Sequence, residues 1–271
     1  MARPPRADRE RRPYFAPPAP RVLAHRGLAV NAVENTLDAF RAALDAGAVY
    51  LETDVNVSAD GVAVVCHDPT LERIAGRPDR VDSLALDELR RIDLGGGARL
   101  PTRLEALVAF PEARFNFAIK SPEVAEPAAR AVLAAGATDR VLVTSFSTSR
   151  RRAALRLLPG AASSASAPGF VAALILIKAG LTPLARLVLR GVDAVQIPLE
   201  AGPLATTTAR TVRGFHRAGV EVHVWTINDV ELARELLDRG VDGIVSDRAD
   251  LMLELVAGRS VSPEGGSSHV R

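Results

Sequence analysis

Residues 21–55 read RVLAHRGLAVNAVENTLDAFRAALDAGAVYLETDV, and this stretch holds one full strand–helix–strand unit. Arg21–Ala24 is a short apolar run of strand length. Leu37–Ala46 spaces its apolar residues three and four apart, the signature of an amphipathic helix. Gly47 supplies the stop signal a helix end favours. Val49–Val55 is a second, nearly continuous apolar run. Two such runs joined by a helix predict parallel strands with a crossover between them.

The same unit recurs along the chain. Further strands are expected at Phe115–Ile119, Val141–Ser145, Ala161–Ala165, Ala194–Ile197, Glu221–Thr226 and Gly243–Ser246. Helical patterns lie before Phe115 and at Val124–Ala135, Thr148–Leu158, Phe170–Leu189, Thr206–Ala218, Val230–Asp238 and Ala249–Val256. Eight units in 271 residues predict a closed (β/α)8 TIM barrel, a fold of about 250 residues. An open doubly wound sheet is the alternative, but no G-x-G-x-x-G opens any helix.

One unit is irregular. After Asp54, Ser58-Ala59-Asp60-Gly61 reads as a hairpin turn and Val62–Cys66 as a returning extended run. Residues 56–100 are therefore expected as a small insertion after the second strand, with Gly95-Gly96-Gly97 as a flexible join. Residues 1–20 are rich in Arg and Pro and read as a disordered arm without a secretory apolar run. Residues 258–271 read as a second tail, leaving 21–257 for the barrel.

The net charge of +2 gives no footing for nucleic-acid binding. Of 34 basic residues only Lys120 and Lys178 are lysine, and the two cation types are not interchangeable. The single cysteine, Cys66, excludes an intrachain disulfide; it reads as a buried strand residue of a cytoplasmic protein. Residues 170–189 are apolar over a membrane-spanning length but are interrupted by Lys178, Gly180, Pro183 and Arg186. A buried pair of barrel helices is the expectation there; an apolar lip meeting lipid is the alternative.

Chemistry-bearing residues gather at predicted strand ends. His25 ends the first strand. Glu52 and Asp54 lie two apart on the second, so they share a face. His67 closes the returning run. Two carboxylates beside histidines suit a hard cation such as Mg²⁺ or Ca²⁺ and acid/base work on a phosphate ester.

Taken together, the opening His25-Arg26-Gly27, Glu34-Asn35-Thr36, Glu52-Thr53-Asp54, Ala59-Asp60-Gly61 and His67-Asp68 resemble the glycerophosphodiester phosphodiesterase family. So do Asn116 through Lys120, the Val224-Trp225-Thr226-Ile227-Asn228 run and the closing Asp242-Gly243-Ile244-Val245-Ser246-Asp247. The resemblance implies a (β/α)8 barrel with a small insertion after the second strand. It also implies metal-dependent hydrolysis of glycerophosphodiesters to glycerol 3-phosphate and an alcohol. It makes His25 and His67 the acid/base pair, Glu52 and Asp54 metal ligands, and Lys120 a cation near metal and phosphate. Arg26 is suited to hold the phosphate, Glu34 to support the site and Trp225 to line the substrate groove. The expected partner is a small phosphodiester, with no nucleic acid.

The family carries Glu or Asp two residues before its lysine as a third ligand; this chain has Ala118. Three outcomes are open: a cation held by Glu52, Asp54, waters and substrate; compensation by Glu34 or Glu123; or a catalytically weak phosphodiester-binding relative. A lysophospholipase D-like enzyme at the membrane surface is a further alternative, motivated by residues 170–189.

Overall fold

The computed structural model describes residues 12–201 and 204–261. All eight expected strands form within a residue or two of their predicted bounds. In chain order they are β1 (Arg21–His25), β2 (Tyr50–Val57), then β4 (Arg114–Ile119) after the short β3 (Ala63–Val65). There follow β5 (Val141–Thr144), β6 (Ala162–Ser163) and β7 (Ala194–Ile197). A small hairpin of β8 (Glu200–Ala201) and β9 (Leu204–Ala205) precedes β10 (Glu221–Val224) and β11 (Gly243–Ser246).

The strand order is β6-β5-β4-β2-β1-β11-β10-β7, and every neighbouring pair is parallel. The ends meet through a parallel bridge, Ser164 to Ala194. The Ala165 N–H donates to the Ala194 carbonyl at 2.9 Å and the Asp193 N–H to that of Ser163 at 2.9 Å. The ring is a closed (β/α)8 barrel.

The helices are α1 (Leu37–Asp45), α2 (Glu72–Ala75), α3 (Leu86–Leu89), α4 (Arg103–Ala109), α5 (Ala125–Ala134) and α6 (Thr148–Leu157). They continue with α7 (Ala167–Lys178), α8 (Thr182–Val188), α9 (Ala209–Ala218), α10 (Val230–Asp238) and α11 (Ala249–Val261). Strand alternation divides the core in two. On β4, Phe115, Phe117 and Ile119 pack outward with Phe40, Leu107 and Val132 under the helices. The intervening Asn116 and Ala118 line the barrel interior.

The lower interior is closed by residues expected in the disordered arm. Pro13–Phe15 forms a 3-10 turn in which Tyr14 and Phe15 are 0% and 2% exposed, packed against Leu23, Tyr50 and Leu142. Beside them Arg21 makes a two-pronged contact with Glu221, at 3.0 and 3.1 Å. Glu221 also meets the buried His223 at 3.3 Å. The arm boundary at residue 20 is thus corrected, because two aromatic rings bury more favourably in the barrel floor than in water. The first eleven residues lie outside the described part. The expected tail from 258 is corrected for its first residues, since α11 continues to Val261; the remainder lies outside the described residues.

The insertion is real and has its own small core. β3 returns antiparallel to β2, and Val64, Cys66, Leu71, Leu89 and Leu100 are buried together. Burial pushes the Cys66 thiol up to about 12, which fits a packing role. The Gly95-Gly96-Gly97 run is pinned rather than slack: the Asp93 carboxylate accepts the N–H groups of Gly95 and Gly97 at 2.9 and 3.0 Å.

The apolar stretch at 170–189 forms two helices, α7 and α8. They bury Phe170, Leu174, Ile177 and Ala185 but leave Ile175 and Leu187 exposed. Among the described residues no helix is long and apolar enough to cross a membrane.

Candidate active site

The top of β1 is shaped by its backbone. Past His25, Arg26 has φ 57° and Gly27 φ 87°. A Cβ on Gly27 would lie 2.7 Å from the backbone of Ala39, so only glycine lets this turn press onto α1. Asn35, with φ 58°, donates its N–H to the Arg26 carbonyl at 2.8 Å. Thr36 then caps α1, accepting the Ala39 N–H at 3.2 Å. Two non-glycine residues in the left-handed region cost on the order of 1–3 kcal/mol each. That strain sits beside the cavity.

At the upper end of the barrel, one cavity is lined by His25, Arg26, Glu52, Asp54, His67, Lys120 and Trp225. Seven of the eight expected site residues therefore converge. The eighth, Glu34, stands behind them: its Oε1 accepts from Arg26 at 2.9 Å and from Arg73 at 2.7 Å.

Each cavity histidine is held through Nδ1. His25 Nδ1 contacts Asp247 Oδ1 at 2.6 Å, and His67 Nδ1 contacts Asp68 Oδ1 at 2.6 Å. A carboxylate can only accept, so the imidazole N–H donates in both pairs and Nε2 is left for the cavity. Asn228 orders the first aspartate, donating to Asp247 Oδ2 at 2.8 Å. Arg73 orders the second, donating to Asp68 Oδ2 at 2.6 Å.

The charges are tightly interlocked. Burial works against a proton on His25, but the Asp247 hydrogen bond and the Glu52 charge outweigh it and raise its pKa above 6.5. Glu52 is pushed up to about 7 by burial and by the neighbouring Asp54 charge. Asp54 Oδ1 holds Lys120 Nζ at 2.8 Å, and its Oδ2 lies 3.4 Å from Arg26 Nε.

Glu52 Oε2 and Asp54 Oδ2 are buried without any hydrogen-bond partner. Buried carboxylate oxygens without hydrogen bonds are costly, and a hard cation is a group that two such oxygens fit. Among the described residues no three His, Cys, Asp or Glu side chains converge as a metal-holding group. Ala118 lines the cavity opposite Asp54 in register. Neither expected substitute fills its place: Glu34 is held by two arginines, and Glu123 is exposed on a 3-10 turn.

The opposite wall is apolar. Phe170 and Trp225 line it, and Phe146, 67% exposed, meets Trp225 edge-on at 6.3 Å between ring centres.

Sequence reasoning overlooked Asp247, Arg73, Asn116 and Phe146. Asp247 carried a signal, since it ends the Asp242–Asp247 run immediately past a barrel strand. Arg73 carried none; it meets Asp68 and Glu34 only because the insertion folds back over the site.

A family model described as the glycerophosphoryl diester phosphodiesterase family matches residues 25–251. The chain is 40% identical over 239 residues to the Mycobacterium tuberculosis protein named "Probable glycerophosphodiester phosphodiesterase 2". That match covers 88% of this chain and 90% of the relative. It is also similar to the crystal structure of glycerophosphodiester phosphodiesterase from Agrobacterium tumefaciens, with a TM-score of 0.70 and 27% identity over 88% of this chain and 99% of that one. An Oleispira antarctica phosphodiesterase solved in complex with the product sn-glycerol-3-phosphate matches with a TM-score of 0.74 and 25% identity. It covers 88% of this chain and 97% of that chain.

Proposed function

The chain belongs to the glycerophosphoryl diester phosphodiesterase family and is a phosphoric diester hydrolase, and from that premise we propose its reaction and the residues that perform it. The substrate is a glycerophosphodiester, and the products are glycerol 3-phosphate and an alcohol. The product named in the Oleispira structure supports this substrate class. The observation that carries the reading is the pair of aspartate-held imidazoles sharing one cavity with the buried Glu52 and Asp54.

Glu52 and Asp54 would hold a divalent cation, Mg²⁺ or Ca²⁺. When bound, it neutralises phosphate oxygens and the charge that develops on them. Arg26 and Lys120 flank Asp54 and offer a planar fork and a point charge to the same phosphate. His67 takes the proton of the attacking water as the new P–O bond forms; where the glycerol hydroxyl attacks first, the cyclic phosphodiester it makes is opened by water to give glycerol 3-phosphate. His25, whose environment favours the protonated ring, gives its proton to the departing alkoxide as the old P–O bond breaks. Trp225 supports the carbon skeleton of the ester against the apolar wall.

The test is turnover of glycerophosphocholine and lysophosphatidylcholine with Mg²⁺, Ca²⁺ or EDTA. Hydrolysis of glycerophosphocholine is expected with a cation and is lost with EDTA. His25→Ala and His67→Ala each lower kcat by about 10²–10⁴. No hydrolysis of either ester with any cation sinks the enzymatic reading and leaves a phosphodiester-binding protein.

A further inference from the structure

We propose that Asn116 Oδ1 is the third protein oxygen of the cation site, replacing the side chain that Ala118 lacks; this rests on the cation-assisted reading above.

β4 turns residues 116 and 118 toward the cavity, and Lys120 follows them there. In the parallel register Asn116 stands beside Glu52, and Ala118 beside Asp54. The gap at 118 therefore has an oxygen-bearing side chain one interior layer below it, next to the other carboxylate. Asn116 is 2% exposed, and its Oδ1 is buried with no hydrogen-bond partner.

Glu52 Oε2 and Asp54 Oδ2 are in the same condition. Three buried acceptor oxygens without a hydrogen bond thus come from two adjacent strands that line one cavity. An acceptor oxygen buried without a donor loses the water it bonded in the unfolded chain and gains nothing in exchange. A single positive centre relieves all three at once.

The protein's own cations approach the two carboxylates without hydrogen-bonding these oxygens: His25 Nε2 lies 3.8 Å from Glu52 Oε2 and Arg26 Nε 3.4 Å from Asp54 Oδ2. Lys120 Nζ binds the other oxygen of Asp54. The unpartnered Gln196 Nε2 lines the cavity from β7, separated from β4 by β5 and β6 around the ring. An amide carbonyl is an ordinary ligand for a hard divalent cation, alongside carboxylates and water. The ligand set is then Glu52, Asp54 and Asn116, completed by water and substrate oxygens.

Mn²⁺ binding to the full chain, read by electron paramagnetic resonance and calorimetry without substrate, tests this apart from turnover. Asn116→Leu keeps the volume and removes the oxygen. It is expected to weaken Mn²⁺ by about 10–100-fold, the loss seen even for outer partners of a metal site. Adding Ala118→Glu to that variant restores the affinity. Asn116→Asp keeps the shape and adds charge, so Mn²⁺ binds more tightly and raises its Tm more than it raises that of the unaltered protein. This arm stands if Asn116→Leu does not fold. Unchanged Mn²⁺ affinity in Asn116→Leu or Asn116→Asp overturns the assignment while leaving the cation reading intact. Absence of Mn²⁺ binding by the unaltered chain overturns both.

Discussion

At the level of single residues, the site is built from pairs in which one member sets the state of the other. Asp247 fixes the ring of His25 and helps raise its pKa. A raised histidine pKa keeps the proton to higher pH than a free imidazole does and releases it as the pH climbs through the folded value. In the proposed mechanism that release ends the acid step, so kcat falls on the alkaline side. Asp247→Asn removes the accepting charge, and the alkaline limb should move to lower pH. kcat should drop by about 10²-fold, within the range of one acid/base group, while KM changes little. A pH–rate profile at saturating cation checks this; an unmoved limb would show that Asp247 is structural only. The imidazoles and carboxylates were legible in the sequence because their types and spacing are unusual. Arg73 was not, since it is an ordinary helix arginine until its neighbours are known, and Asn116, though it opens the run ending at Lys120, carried no role of its own.

Among the elements, the turn between β1 and α1 is the most constrained. Arg26, Gly27 and Asn35 all take left-handed backbone, and Gly27 lies against the Ala39 backbone. Gly27→Ala forces the turn off α1 and shifts both His25 and Arg26. We expect a loss of more than about 1 kcal/mol in stability together with a fall in kcat/KM. Thermal melts and turnover measure the two effects; a Tm and activity equal to those of the parent would refute the close-contact argument. β4 carries a different lesson. Its alternation sends three large apolar residues outward and leaves Asn116 and Ala118 inside. Period-two reasoning located that face, but it could not tell that neither Glu34, held by two arginines, nor Glu123, exposed on a 3-10 turn, takes the place Ala118 leaves.

On the scale of the whole molecule, the barrel works as a vessel with a sealed floor and an open top. Tyr14, Phe15, Leu23, Tyr50 and the Arg21–Glu221 pair fill the floor, and the site occupies the other end. Phe15→Ala opens the floor and should cost about 3–5 kcal/mol, read from denaturant midpoints. A negligible loss would mean that the segment is an appendage. Glu221 adds an acid-sensitive contact. Burial disfavours its charge, yet His223 and Arg21 outweigh that and hold its pKa near about 2, against 4.5 for a free side chain. A depressed carboxylate contributes fully above 4.5 and loses that contribution as the pH falls toward about 2. Glu221→Gln should lower stability at neutral pH and flatten its decline below pH 4.5. A decline as steep as that of the unaltered protein would assign the acid lability elsewhere.

The sequence alone determined the eight-unit barrel, the insertion after the second strand and the residues that gather at the mouth. Those are properties of local periodicity, turn chemistry and strand-end position, each readable within a few residues. The tertiary structure decided what depends on distant segments meeting. It joined Asp247 to His25 across 222 positions of chain and brought Arg73 under Glu34. It drew Tyr14 and Phe15 out of an apparently featureless arm into the barrel floor. It also set Asn116 beside Glu52, because the register of two strands sixty-four residues apart is fixed by closing the ring and not by either strand's own sequence.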